Sequence, residues 1–131
     1  MFRGVQFYDG NGHRQGVQAV LDTSARGNVY VVDTYAMPGI QSGADLLRAV
    51  AKSMSVAEWY GYDVETIASQ ALSIPANIHL LVLVITPHHR HLLTEGVLQG
   101  LSRVHERSLM MGTQLWTAVF ENPVALTRPS L

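Results

Sequence analysis

The pattern of apolar and polar positions predicts three strands in the first 35 residues. Segments 5–8 and 17–21 read as short strands, and Asp-Gly and Asn-Gly pairs stand between them at residues 9–12. These pairs favour the positive φ angles of a reversing turn, so the pattern predicts an antiparallel β-hairpin over residues 1–27. Residues 28–35 are rich in β-branched and aromatic side chains and are predicted to form the third strand.

Two helices are predicted next, on either side of an aromatic segment. Ser42 is the predicted N-cap of the first helix, with Asp45 three residues later in a weak form of the capping box. Gly61 is the predicted left-handed stop of this helix, which runs to about residue 60, and Asp63 is predicted to cap a second helix over residues 64–72. The apolar residues at helical spacing in the first helix are Leu46, Leu47, Val50, Ala51 and Met54.

The C-terminal half predicts a strand, a long helix and a last strand. Residues 78–85 are apolar on both faces, which is typical of a central strand. Thr86 and Pro87 begin the third helix, which is predicted to reach Met111 and stop at Gly112. Residues 113–121 form the last strand, parallel or nearly adjacent to strand 78–85. The order β-β-β-α-α-β-α-β predicts an α/β fold, with helices packed around a small parallel or mixed sheet.

Length and composition predict one domain over residues 1–131. Hydrophobic residues make up 47% and charged residues 15%, which suits a folded domain with a core. The net charge of −1 argues against a nucleic-acid partner, and the absence of cysteine excludes disulfides and thiolate chemistry. The N-terminus has no signal pattern and the longest apolar run, 80–85, is too short to span a bilayer. We therefore expect a soluble cytoplasmic protein with no membrane partner.

Residues 55–67 concentrate the side chains that are candidates for binding. Trp59, Tyr60 and Tyr62 surround Gly61. Three carboxylates stand beside them: Glu58, Asp63 and Glu65. Large aromatic side chains on a rigid helix junction beside carboxylates are typical of protein-binding surfaces. The alternative is that the rings pack against the core and lock the two helices together, and both interpretations stay open at this point.

The histidines raise a second hypothesis, a metal-dependent enzyme. On a helix, His88, His91 and Glu95 would share one face at spacings of three and four residues, which suits zinc. The same spacing describes the solvated face of an amphipathic helix. Because no nucleophile motif or phosphate-binding glycine pattern is present, the prediction is no enzyme, no catalytic residue, no metal site and no cofactor. His79 is predicted to be a buried neutral imidazole with a backbone partner.

The aromatic segment resembles that of the barstar family, small intracellular inhibitors of secreted ribonucleases. In that family a capped helix is followed by Pro-Glu-aromatic-Tyr-Gly-X-Asn-Leu-Asp-Ala-Leu, a short second helix and a hydrophobic strand. Here residues 57–67 read Ala-Glu-Trp-Tyr-Gly-Tyr-Asp-Val-Glu-Thr-Ile, with the Ser42 cap before them and the strand at Leu80 after them. The resemblance covers roughly residues 29–120.

The resemblance implies a barstar-like core over residues 28–121, with an added hairpin at 1–27 and a tail at 122–131. It implies an inhibitor or immunity protein that binds a ribonuclease or other toxin domain and occludes it sterically. The predicted partner-binding residues, from this resemblance and from the aromatic segment itself, are Trp59, Tyr60, Gly61, Tyr62, Asp63, Glu65 and Ser69.

This chain also departs from the family at several positions. Ser69 stands where the family has its main inhibitory Asp, and Ala68 stands where it has a neighbouring Trp. The net charge of −1 supplies little of the electrostatic steering that a strongly acidic inhibitor has. A third hypothesis is a homo-oligomeric structural protein whose exposed apolar surface pairs with itself, and the expected state is a monomer or a weak homo-oligomer.

Overall fold

The structure is a computed structural model that describes residues 2–56 and 61–123. Short 3-10 segments connect several of its elements, at Gly10–Gly12, Thr34–Ala36, Ala71–Ser73 and Pro87–Leu92. In chain order, the strands and α-helices of the described residues are β1 (Val5–Tyr8), α1 (His13–Ser24), β2 (Asn28–Asp33), α2 (Gly43–Ser53), α3 (Val64–Gln70), β3 (Ile78–Val84), α4 (Glu95–Met110) and β4 (Gln114–Phe120).

The four strands form one parallel sheet in the order β1-β4-β3-β2. β3 lies between β2 and β4, with Val82 opposite Val31 on one side and opposite Ala118 on the other. All residues of β3 after Ile78 are buried, which explains why this strand carries apolar side chains on both faces. The predicted α/β class is confirmed, and the sheet is parallel.

Helices cover both faces of the sheet and enclose two apolar clusters. One face packs against α2, α3 and α4, and its cluster includes Leu46, Ile67, Leu81 and Leu101. Among the described residues, the other face packs against α1 alone, through the cluster formed by Val20, Leu80, Val82, Val84, Ala118 and Phe120. The two faces of the sheet are therefore unequally covered in the described chain, because three helices pack against the first face and one helix packs against the second.

The predicted N-terminal hairpin is wrong, because residues 17–21 belong to α1 and do not form a strand. Gly10 takes φ +48° and the chain passes through a 3-10 turn directly into the helix. The buried positions of α1 are Gly16, Val20 and Thr23, at spacings of four and three residues. β1 pairs in parallel with β4, the last strand, and has no antiparallel partner in the described chain. Residues 1–27 thus add a β-α unit at one edge of the sheet.

The helix predicted from Thr86 to Met111 is two elements. Thr86 Oγ1 accepts a hydrogen bond from His89 N and starts the 3-10 segment Pro87–Leu92. Thr94 Oγ1 then accepts from Val97 N and starts α4 at Glu95. A threonine hydroxyl can accept a hydrogen bond from a backbone N–H group in place of a helix carbonyl. The cap at Thr94 therefore separates the 3-10 segment from α4.

Two other predicted elements are shorter than expected. Strand β2 ends at Asp33, whose carboxylate accepts a hydrogen bond from Tyr35 N and caps the next turn. Helix α2 ends at Ser53, and Ser55 follows with φ +59°, a left-handed conformation that stops a helix.

No helix in residues 2–56 and 61–123 is long and apolar enough to cross a membrane.

Candidate functional site

The candidate site lies where α2 gives way to α3. Ser42 Oγ accepts a hydrogen bond from Asp45 N at 3.2 Å, and the Asp45 carboxylate accepts from Gln41 N at 3.0 Å, which fixes the start of α2 as predicted. At the other end, Val56 N donates to Ala51 O at 2.9 Å. The predicted site residues Trp59 and Tyr60 lie outside the described residues.

Asp63 caps α3 and fixes the direction in which the chain enters it. One carboxylate oxygen accepts a hydrogen bond from Thr66 N at 2.8 Å, as the sequence predicted. This bond to the charged form is the main reason why the pKa of Asp63 is lowered, and the nearby charge of Arg103 adds a smaller effect in the same direction. The side chain is therefore an anion at the N-terminal end of α3.

Gly61 and Tyr62 lie exposed at the surface, just before the Asp63 cap. Gly61 has φ +77°, in the left-handed region where a side chain would be strained. The Tyr62 side chain is 40% exposed. An aromatic ring that is partly exposed next to a fixed helix end suits a contact surface, because little conformational freedom is lost when a partner covers it.

Glu65 is held by two arginines of α4. Arg103 Nε donates to one carboxylate oxygen at 2.9 Å, and Arg107 Nη2 donates to the other at 2.8 Å. The Glu65 side chain is 21% exposed, whereas those of Arg103 and Arg107 are 58% and 48% exposed. Both carboxylate oxygens are therefore engaged within the chain, and guanidinium groups form the more accessible part of this cluster.

The arginine partners of Glu65 are not predicted from the sequence. Arg103 and Arg107 are four residues apart and so lie on one face of α4, which is a signal for a shared partner. The identity of that partner depends on the packing of α3 against α4. Ser69, the other predicted site residue on α3, is half-buried and donates its hydroxyl to Thr66 O at 2.9 Å.

Two open grooves border α3. The first has a volume of about 280 Å³ and combines apolar walls from Leu47, Val64 and Val97 with the side chains of Asp63 and Arg103. The second has a volume of about 430 Å³ and is lined by residues that directly follow α2, by Tyr62, and by residues at and after the end of α3: Met54, Ser55, Val56, Tyr62, Gln70, Ser73 and Ile74. The surface around Tyr62 and Asp63 is thus contoured, with room for side chains of a partner.

The histidines of the metal hypothesis do not come together as a ligand set. His88 and His91 lie in the 3-10 segment, whereas Glu95 begins α4 and accepts a hydrogen bond from Gln99 Nε2 at 3.3 Å. His89 is tied down separately, since its Nε2 lies 3.0 Å from Ile40 O. Within the part of the chain that the structure describes, no group of three His, Cys, Asp or Glu side chains could hold a metal ion.

His79 is fully buried, as predicted, but its partner is a side chain. Its Nδ1 lies 3.1 Å from the Tyr30 hydroxyl, and the two rings stack with centroids 6.1 Å apart. Its Nε2 is buried and has no hydrogen-bond partner among residues 2–56 and 61–123. Burial lowers the pKa of His79, because the low-dielectric surroundings disfavour the imidazolium ion. The predicted backbone partner of His79 is therefore wrong.

Comparison of the chain with models of protein families, with curated proteins and with solved structures finds no match. Function is therefore inferred from the fold and from the residues at the junction of α2 and α3.

Proposed function

We propose that this chain is a barstar-like inhibitor or immunity protein, which binds a ribonuclease or other toxin domain and occludes its active site. The binding surface is the junction of α2 and α3, and the observation that carries the proposal is the arrangement of Tyr62 and Asp63. A partly exposed aromatic ring stands directly before an ionised helix cap, between two grooves. Aromatic anchors in such surroundings supply most of the energy of many protein interfaces.

The order of elements supports the proposal independently of any single residue. A capped helix, a short second helix and an apolar strand follow one another as α2, α3 and β3, which is the order that the resemblance implies. The Tyr-Gly segment falls between the two helices, and β2, β3 and β4 form a parallel sheet behind them. A rigid sheet behind two helices would hold the junction in one conformation before binding, which lowers the entropy lost on association.

Shape and apolar contact, rather than long-range charge, would dominate recognition. Glu65 is paired with Arg103 and Arg107, whose two positive charges exceed its own, so this cluster offers a partner no net negative potential. Asp63 is exposed and its carboxylate is ionised, which suits one cationic or hydrogen-donating group of the partner. With a net charge of −1, association would depend only weakly on salt.

The proposed mechanism is steric and needs no chemistry from this chain. The proposed contact set is Trp59, Tyr60, Gly61, Tyr62, Asp63, Glu65 and Ser69. The partner would be a protein, with no nucleic acid, membrane or cofactor involved, and an inhibitor of this kind would act in the cytoplasm before its target can harm the cell.

Capture followed by an inhibition assay tests this function. Three baits are prepared: the wild-type chain, Tyr62→Ala and Tyr35→Ala. Tyr35 is a matched control, because it is 42% exposed, close to the 40% of Tyr62, and lies in a different segment, where its hydroxyl donates to Glu121 O. Proteins from the source cell's lysate that are retained by each bait are identified by mass spectrometry and assayed for nuclease or toxin activity.

The proposal expects a nuclease or toxin domain on the wild-type and Tyr35→Ala baits, much less of it on Tyr62→Ala, and loss of its activity when wild-type chain is added. Equal retention by all three baits would refute the assigned surface. A retained protein whose activity is unaffected by excess wild-type chain would refute inhibition.

A further inference from the structure

A second candidate site lies on the face of the sheet that α1 covers, away from the α2–α3 junction. α1 follows β1 at one edge of the sheet and leads to β2 at the other edge, so it crosses the whole face. Four strands span about 14 Å at the usual spacing, whereas a helix with its side chains is about 10 to 12 Å wide. Within the described part of the chain, this single crossing helix therefore leaves part of the face uncovered.

A cavity of about 190 Å³, open to solvent beside the exposed residues Gln6 and Ala19, occupies the uncovered part, between α1 and strands β1, β3 and β4. Val20 of α1 forms one wall, and the buried side chains of Leu80 and Ala118 form the floor. Ala19 and Ala118 create the space, because side chains of ordinary size at these two positions would fill it. The remaining lining residues are Gln6, Tyr8, Gly16, Thr23, Ile78, Trp116 and Thr117, and every lining residue is uncharged.

Aromatic rings and one amide stand in the wall of the cavity. Tyr8 and Trp116 are both half-buried and contribute ring surface. The Gln6 side-chain carbonyl accepts a hydrogen bond from the Tyr8 hydroxyl, while the NH₂ group of the same amide has no partner among the described residues. The cavity therefore combines apolar walls with a hydrogen-bond donor that is available to a ligand.

We propose that this cavity binds a small, uncharged aromatic molecule of one or two rings that carries a hydrogen-bond acceptor. The size fits, because an apolar protein cavity of about 150 Å³ accommodates benzene. The uncharged lining offers an ionised ligand no counter-charge, and an ionised ligand would lose part of its hydration on the apolar floor, so an uncharged ligand is favoured. The rings of Tyr8 and Trp116 favour an aromatic ligand, and the Gln6 amide favours a ring nitrogen or oxygen that accepts its proton.

Amide NMR of the ¹⁵N-labelled full chain tests the proposal with quinoline, which is uncharged at pH 7.5, and with benzoate as a charged aromatic of related size. Quinoline should cause saturable shifts centred on Ala19, Leu80 and Ala118, and benzoate should cause none there. Ala118→Leu fills the cavity and should weaken quinoline binding at least about tenfold, equivalent to 1.4 kcal/mol. Ala44→Leu is the control, because Ala44 is exposed on α2.

Ala19→Leu provides a second filling variant at an exposed wall position, so the test stands even if Ala118→Leu does not fold. Absence of saturable shifts with quinoline would overturn the proposal, as would equal binding by a folded filling variant and the wild type. Shifts at these residues that depend on protein concentration and not on quinoline would also overturn it, because they would identify the cavity as a contact between two copies of the chain.

Discussion

Glu65 on α3 accepts a hydrogen bond from Arg103 on α4 at 2.9 Å, and this pair, with Arg107, ties the candidate binding surface to the longest helix of the described chain. The Glu65 carboxylate, which is predicted from the sequence to contact a partner, thus already accepts hydrogen bonds within the fold. A partner can still contact Glu65, but it would meet a cluster of one carboxylate and two guanidinium groups with net positive charge, in which the guanidinium groups are the more exposed members.

Replacement of this carboxylate tests its structural role. Glu65→Gln should lower the free energy of unfolding by about 0.5 to 1 kcal/mol, since both arginines are about half exposed and solvent screens the ion pairs. Urea unfolding at low and high salt measures the change. Glu106→Gln is the control, because Glu106 has a single, more exposed partner in Arg3 and should change stability less. Equal effects of the two variants would contradict the assigned role of Glu65.

The helix cap of α3 predicts a pH-dependent contribution to stability. The pKa of Asp63 lies below its ordinary value of 3.8 in the folded chain, so its contribution is present above that pH and is lost as the pH falls through the folded pKa. Asp63→Ala should cost about 1 kcal/mol at pH 7. The difference from wild type should shrink below pH 4, and Asp63→Asn should restore most of the stability. A difference that is constant with pH would show that the carboxylate charge plays no part.

Burial of His79 predicts loss of stability on acidification. Its pKa is lowered below 6.5 in the folded chain, so the unfolded chain takes up the proton first as the pH falls below 6.5. Wild-type stability should therefore decline from about pH 6.5 downward, until the folded pKa is reached. His79→Leu should be less stable at pH 7, because Tyr30 loses its partner, but its stability should decline less between pH 6.5 and 5. His91→Gln, at an exposed position, should decline as the wild type does.

Gly16 tests the packing of α1 against the sheet. A Cβ added at Gly16 would lie 2.4 Å from Tyr8 Cγ and 2.7 Å from an atom of the Phe120 ring. Gly16→Ala should therefore destabilise the fold by about 1 to 3 kcal/mol. Gly43→Ala, at the start of α2, meets nothing within 4 Å and should cause no loss. If Gly16→Ala proved as stable as wild type, α1 would not pack on the sheet as described.

The elements that were predicted correctly are those that local sequence specifies. The continuous apolar run from Leu80 to Ile85 indicates the central strand, because a short apolar run rich in β-branched residues is typical of a strand covered on both faces. Ser42 and Asp63 identify helix starts, because the cap bond forms within three residues of each. Each of these signals lies within a few consecutive residues, so it can be recognised without knowledge of the tertiary fold.

The features that were missed depend on contacts between distant parts of the chain. The partner of β1 is β4, more than 100 residues away, and residues 17–21 are too few to distinguish a strand from a helix by their apolar pattern. The arginine partners of Glu65 depend on how α4 packs against α3, and the division of the predicted long helix depends on competition between the caps at Thr86 and Thr94.

The affinity of a captured partner for Tyr62 variants tests the central claim most directly. Isothermal titration calorimetry with purified partner is performed on the wild type, Tyr62→Ala and Tyr35→Ala. Truncation of an aromatic anchor at an interface costs at least about 2 kcal/mol, or roughly a thirtyfold rise in Kd. We predict this loss for Tyr62→Ala and no loss for Tyr35→Ala. Unchanged affinity of Tyr62→Ala, or an equal loss in both variants, would contradict the assignment of the α2–α3 junction as the binding surface.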